Sequence, residues 1–321
     1  MHSFKELVTS FTEKFNKKHF PAFPATLYEP CDYFLAIGGK RIRPVLCLMG
    51  NELFDEINPD AWYVANAIEM FHNFTLIHDD MMDAATLRRN MQTVHIKYNS
   101  NTALLSGDVM MIKAIENINK INTSYQAKIL YHFNTVAREV CEGQQLDMDF
   151  EQKEVVSLDE YIHMITLKTS VLLAASLKMG AHLGGASEGN SNRLYDFGKY
   201  LGIAFQVQDD YLDAFGDPEK FGKEVGGDIK QNKKTFLMLH TLEKATAAQK
   251  IKIQELIADN PADKVAQMLE IFKDCGADAW AKELKTFYLN KSLQALEEVA
   301  VISSRKKPLL ELTDYLMQRE S

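Results

Sequence analysis

Between Pro59 and Pro218 the chain contains no proline. Proline lacks the backbone donor that a helix interior needs, and its ring clashes with the preceding turn. A proline-free run of this length therefore admits long helices and is hard to reconcile with a turn-rich all-β protein. The apolar residues inside it recur at helical steps. After Pro59, with Asp60 placed as a cap, Val64, Ile68, Phe71 and Thr75 follow at intervals of three and four and carry the stripe to Asp79. Ser157 and Glu160 have the spacing of a capping box ahead of Tyr161, Met164, Ile165 and Lys168, so a second long helix is expected there. A third is expected from about Arg193 to Ala214, striped by Leu194, Phe197, Leu201, Ala204 and Phe205 and ending at Gly216.

With 321 residues, 46% of them hydrophobic and 25% charged, the chain is able to bury a sizeable core. Its net charge of -8 supplies no broad cationic surface to replace phosphate counterions, which argues against a nucleic-acid binder; an anionic ligand must be met locally. Cys31, Cys47, Cys141 and Cys275 show neither paired nor metal-ligand spacing and read as reduced, buried thiols of a cytoplasmic protein. Met1 to Lys18 alternates charged and apolar residues and lacks the apolar run of a signal peptide. Met164 to Leu183 is broken by Lys168 and Lys178 and reads as a buried helix, so no membrane span is expected. There is no repeat of solenoid length and no Gly/Ser/Pro linker, only a loose connection from Gly184 to Asn192. Residues 1–321 are read as a single domain, with the helical period beyond Ala247 completing the bundle.

The chemistry is concentrated in two acidic motifs. In Asp79-Asp80-Met81-Met82-Asp83, the four-residue step stacks Asp79 and Asp83 on one face of a helix. Two such carboxylates repel each other unless a hard cation lies between them and a phosphate, and magnesium typically takes one or two carboxylates plus substrate phosphate oxygens. Asp209-Asp210-Tyr211-Leu212-Asp213 repeats the arrangement at the end of another striped helix. One such motif reads equally well as a solvated helix end; two, interleaved with cations, point to a diphosphate. The cations are those of Gly38-Gly39-Lys40-Arg41-Ile42-Arg43, where two glycines permit close backbone approach, and Arg88-Arg89 just beyond the first motif. Lys168 and Thr169 stand in apolar sequence, where an unpaired ammonium is costly, and Lys223 and Lys233 follow the second motif.

In these segments the chain resembles the trans-isoprenyl diphosphate synthases, the polyprenyl synthetase family. Gly-Gly-Lys-Arg-Ile-Arg-Pro at Gly38, His72 to Asp83, Leu87-Arg88-Arg89, Gly107-Asp108, Gly143-Gln144, Lys168-Thr169 and Phe205 to Asp213 onward to Lys233 carry the resemblance, in an order and spacing that are specific together. It implies an all-α fold, a bundle of long antiparallel helices around a central cavity, and a homodimer. By position it also implies that Asp79, Asp83 and Asp209 bind three magnesium ions with the allylic diphosphate, supported by Asp80, Asp210 and Asp213. Arg88, Lys168, Thr169, Gln206, Lys223 and Lys233 then line the allylic site, and Lys40, Arg43, His72 and Arg89 bind isopentenyl diphosphate. A lone helical histidine such as His72 is otherwise commonly a satisfied core residue.

In the family, the residues four and five before the first motif floor the product pocket; here they are Thr75 and Phe74. Phe74 blocks growth while Thr75 leaves space, and the motif lacks the two-residue insertion of many bacterial farnesyl synthases. That pattern is similar to synthases of twenty-carbon products, so geranylgeranyl diphosphate is expected and farnesyl diphosphate is the alternative. The C-terminus has only Arg319 where many relatives carry a basic tail. Two readings from other classes compete. A metal-dependent phosphohydrolase built on His72 and His78-Asp79 leaves the second motif unexplained, and a non-catalytic prenyltransferase subunit is expected to have degenerate motifs, whereas both are intact.

Overall fold

The computed structural model describes residues 1–216 and 225–318, so Lys223 and Arg319 lie outside the described residues. What is described is almost wholly helical. Contacts divide it into two compact units. One comprises Met1–Ala137, Ala175–Leu194 and Val301–Leu309; the other comprises Arg138–Ala174, Tyr195–Ala300 and the residues from Leu310.

The first unit opens with α1 (Phe4–Phe15), which starts at a capping box between Ser3 and Glu6, and continues through α2 (Ala25–Ala36) and α3 (Ile42–Glu52). Next comes α4 (Pro59–Met82), where Asn58 rather than Asp60 is the cap. Pro59 occupies the first helical position, where its missing donor is harmless, and the Asn58 side chain accepts from the Asp60 amide at 2.9 Å. Val64, Ile68 and Phe71 are buried as the stripe predicts. Beyond α4 comes a hairpin, β1 (Leu87–Arg88) with β2 (Met91–Gln92), which the helical reading did not anticipate. Arg89 and Asn90 form its two-residue turn with φ of 52° and 64°, the left-handed pair that a tight hairpin demands. The short α5 (Val94–Lys97) leads to α6 (Ser100–Ile118), which packs along α4.

Helices α7 (Thr123–Gln152) and α9 (Val171–Leu183) each contribute to both units. Within the first unit, α9 meets α3 along glycines. A Cβ on Gly180 collides with the Cys47 carbonyl, and one on Gly50 with that of Leu177. The absence of side chains there is what lets the backbones touch.

The second unit contains α8 (Leu158–Ile165), whose Ser157 and Glu160 form the expected capping box. The helix does not run on regularly: residues Thr166–Ser170 form a π turn before α9 resumes. This is a correction to the uninterrupted helix expected here. Leu158–Leu183 is long and apolar enough to cross a membrane, but 72% of its most apolar window is buried inside the protein, as a core helix requires. Helix α10 (Glu188–Phe215) begins earlier than Arg193, so much of the supposed loose connection is helix. The unit is completed by α11 (Gly227–Lys230), α12 (Phe236–Lys244), α13 (Ala247–Asp259), α14 (Lys264–Asp274) and α15 (Ala277–Glu297), followed by α16 (Ser303–Met317), whose first turns belong to the first unit. Its core gathers Phe150, Tyr161, Met164, Val207, Phe236, Met268 and Phe272. Cys31 and Cys47 are buried as expected, whereas Cys141 is exposed on α7 and Cys275 half-buried.

Candidate active site

In the first unit, the C-terminal end of α4 presents the first acidic motif. The Asp83 amide donates to the Asp79 carbonyl at 2.8 Å, so the four-residue step is helical and the two carboxylates share a face. Asp80 points elsewhere. It is 1% exposed, and its two oxygens accept from Arg88, with Nε at 2.9 Å and Nη2 at 2.8 Å. This bidentate pairing spends Arg88 on the protein's own carboxylate, while Asp83 stays exposed.

The hairpin turn sends the next arginine the other way. Arg89 lies against Gly39, where an added Cβ falls 2.9 Å from its Nη1, so the guanidinium requires a glycine there. Gly38, with φ of 80°, and Arg41, with φ of 53°, shape the same segment. The three cations following the glycines divide: Lys40 is exposed, Arg41 is buried in an ion pair with Glu69, and Arg43 reaches His72. Arg41 is therefore part of the core rather than a diphosphate ligand. Arg43 donates through Nη1 to His72 Nε2 at 3.1 Å, and its Nε is buried with no partner. A buried donor without an acceptor is costly unless a ligand supplies one. Burial and then the surrounding Arg43, Arg89 and Arg88 push His72 well below its usual range, so it stands neutral as an acceptor. His72 is thus neither an ordinary core histidine nor a cation; it orients Arg43.

Phe74 and Thr75 are half-buried on α4. The Phe74 ring lies 5.7 Å from Phe71 and 4.8 Å from His78, and Thr75 Oγ1 donates to the His72 carbonyl at 2.9 Å. His78 Nε2 donates to the Leu104 carbonyl of α6 at 3.1 Å, in space that exists only because Gly107 has no side chain. That is the structural reason for the glycine at position 107.

In the second unit, the π turn carries Lys168 and Thr169. Such turns add a residue to the helix and re-aim side chains. Gly143 of α7 admits the turn, since any Cβ there overlaps the Lys168 backbone, and Lys168 forms an ion pair with Asp147 one turn further along α7. Gln144 Oε1 beside it is buried without a partner. Thr169 Oγ1 approaches Gln206 Oε1 at 3.5 Å, and Gln206 Nε2 donates to Asp210 Oδ1 at 2.8 Å. Asp210 Oδ2 accepts from the Tyr161 hydroxyl at 2.6 Å. Burial, with Asp228 nearby, pushes the Asp210 carboxyl up to about 8, while the Tyr161 and Gln206 hydrogen bonds pull against it. Asp209 and Asp213 are half-buried, and Asp213 Oδ2 accepts from the Asp228 amide at 3.0 Å. Lys233 stands 3.8 Å from Asp228. Lys223 lies outside the described residues.

Among the described residues, no group of three or more His, Cys, Asp or Glu side chains gathers around one point. Paired carboxylates at each helix end suit a hard cation that completes its shell with diphosphate oxygens and water; they do not suit a closed protein cage. The donor set therefore fits magnesium. Sequence reasoning missed Glu69, Asp147, Tyr161 and Asp228 as partners. Tyr161 was legible only as a stripe residue, and the other three carry no motif.

Comparison with known proteins completes the picture. Residues 24–274 match the family model described as Polyprenyl synthetase. Over 92% of its length the chain is 37% identical to the short chain isoprenyl diphosphate synthase of Methanothermobacter thermautotrophicus, covering 91% of that protein. A crystal structure of a geranylgeranyl pyrophosphate synthase superposes with a TM-score of 0.94 at 43% identity, covering 100% of each chain. The geranylgeranyl pyrophosphate synthetase of Pyrococcus horikoshii superposes with a TM-score of 0.91 at 34% identity, covering 98% of this chain and 99% of that one.

Proposed function

The chain belongs to the polyprenyl synthetase family, and on that premise we propose that it condenses isopentenyl diphosphate with an allylic diphosphate and releases geranylgeranyl diphosphate. The observation that carries this reading is that α4 and α10 each end in an intact acidic motif and that the chain adds a separate anion-binding set, the cations Arg43 and Arg89 with the neutral His72 that orients Arg43. A diphosphate hydrolase needs only the first of these. A synthase joining two diphosphates needs both.

Asp79, Asp83 and Asp209 would hold the magnesium ions, proposed as three with the substrate bound. Bound there, magnesium would supply positive charge to the leaving diphosphate as the allylic carbon–oxygen bond breaks. Lys168, fixed by Asp147, adds a cation at the allylic site, with Thr169, Gln206 and Lys233 lining it. Arg43 Nε offers its unused donor to isopentenyl diphosphate, joined by Lys40 and Arg89. The isopentenyl double bond then attacks the allylic cation, and proton loss leaves a longer trans allylic diphosphate. No side chain is assigned as the base.

Phe74 supports the twenty-carbon product. Its ring sits one turn above Asp79, supported by Phe71 and His78, and obstructs growth beyond that length. The same reading treats the chain as one working domain acting in the cytoplasm as a homodimer. The exposed apolar stripe of α6, with Leu104, Leu105 and Ile112 at 47%, 55% and 57% exposure, supports that assembly.

The test is incubation of the purified protein with magnesium, labelled isopentenyl diphosphate and each of dimethylallyl, geranyl and farnesyl diphosphate, followed by chain-length analysis. A twenty-carbon main product is expected. A fifteen-carbon product keeps the reaction and removes the Phe74 reading; no elongation with any primer overturns both.

A further inference from the structure

The second aspartate of each acidic motif is buried and held, but by opposite means. Asp80 is clamped by the Arg88 guanidinium, which cancels its charge. Asp210 is held by two neutral donors, the Gln206 amide at 2.8 Å and the Tyr161 hydroxyl at 2.6 Å. Tyr161 belongs to α8 and is 6% exposed, with its ring 6.5 Å from that of Phe236. A phenol in so apolar a setting needs a partner for its hydroxyl, and Asp210 is the partner it has.

We propose that Tyr161 is a positioning residue of the metal-binding end of α10. By fixing Asp210 from a neighbouring helix, it sets the orientation in which Asp209 and Asp213 meet a cation. Because neither Tyr161 nor Gln206 is charged, Asp210 is held without bringing a cation of the protein's own to the motif, and Asp209 and Asp213 are left to meet magnesium. An arginine at position 161 would orient Asp210 as well but compete with the cation. The first motif accepts that cancellation through Arg88; the second does not. This inference rests on the reading of α10 as a magnesium-diphosphate site. It assigns a role to a residue of α8 that supplies no metal ligand.

The test is Tyr161→Phe, which keeps the ring and removes only the hydroxyl, compared with Phe236→Leu, which loosens the ring's packing and keeps the hydroxyl. Binding of magnesium with inorganic diphosphate is measured by calorimetry, alongside the magnesium dependence of turnover and the KM for isopentenyl diphosphate. Losing a hydrogen bond that orients a metal site from outside its ligands typically weakens metal affinity about 10–100-fold. Tyr161→Phe is therefore expected to weaken calorimetric binding and raise half-saturating magnesium by about 10-fold or more, with the KM for isopentenyl diphosphate unchanged. Phe236→Leu is expected to leave both magnesium readouts alone.

Wild-type magnesium behaviour in Tyr161→Phe overturns the inference. So does an equal shift in Phe236→Leu, or loss of helical signal by Tyr161→Phe at the assay temperature, since either assigns Tyr161 to packing. A wild-type protein that binds magnesium diphosphate without elongating any primer overturns the proposed reaction instead, and the calorimetric comparison still decides the role of Tyr161.

Discussion

At the scale of the residue, the proposed site separates carboxylates assigned to the metal and substrate from those that other side chains of the protein hold. Asp79 and Asp83 share a helical face, while Asp80 is consumed by Arg88; Asp209 and Asp213 flank an Asp210 that Tyr161 and Gln206 hold. Asp79→Ala and Asp209→Ala are each expected to lower kcat about 10²–10³-fold, because a lost metal ligand removes several kcal/mol of transition-state stabilisation. Near-normal turnover of either variant at saturating magnesium contradicts the assignment. Phe74→Ala is expected to shift the products to twenty-five carbons and beyond, since removing a ring leaves a cavity that further isoprene units fill. Chromatography of the dephosphorylated products reads this directly. An unchanged chain length excludes Phe74 as the floor. The aspartate step was legible in the sequence because it is a local property of one helix. The ion pairs Arg41–Glu69 and Lys168–Asp147 span 28 and 21 positions and carried no local signal.

At the scale of the element, helices meet where glycines let them. Gly180→Ala forces a methyl into the Cys47 carbonyl of α3, and backbone yields less readily than a flexible side chain. A destabilisation of about 2 kcal/mol is expected, read as a lower midpoint in denaturant melts, and a neutral effect contradicts the close α3–α9 contact. Helices α7 and α9 are joined by the imidazoles of His132 and His182, whose Nε2 atoms stand 3.1 Å apart so that one donates to the other. Burial, aided by Lys178 and Lys128, holds both at about 4. Unfolding returns them to about 6.5, so below that pH the unfolded chain binds protons that the folded chain refuses. The stability these groups contribute is present above pH 6.5 and lost as pH falls through about 4. Thermal melts from pH 7 to pH 4 are expected to show Tm falling, with a shallower fall in His182→Asn. Parallel curves for the two proteins contradict the pairing. Element boundaries were partly legible: the Ser157–Glu160 box held, whereas the Thr166–Ser170 π turn was hidden, because it arises from packing against Gly143 and no residue type announces it.

At the scale of the whole molecule, the α6 stripe leaves Leu105 and Ile112 exposed one heptad apart, an apolar surface that a second copy is proposed to cover. Sedimentation velocity at micromolar concentration is expected to show a dimer, and the double variant Leu105→Lys/Ile112→Lys a monomer, because unpaired ammonium groups at a dry interface are not tolerated. A monomeric wild-type protein contradicts this. His78 extends from beside Asp79 to the Leu104 carbonyl of the same helix, so the first acidic motif rests on α6.

The sequence by itself determined the helical class, both acidic motifs and the cationic segments, because helix period, four-residue steps and absent prolines are properties of a few consecutive residues. Only the tertiary structure decided which charges the fold consumes in its own ion pairs and which it does not. Arg41 turned inward to Glu69 while Arg43 kept an open donor, and Arg88 closed on Asp80 while Arg89 crossed to Gly39. Neighbouring residues of one type are equivalent in sequence. They part company when left-handed backbone at Arg41 and Arg89 aims them differently, and when a carboxylate distant along the chain arrives to claim one of them.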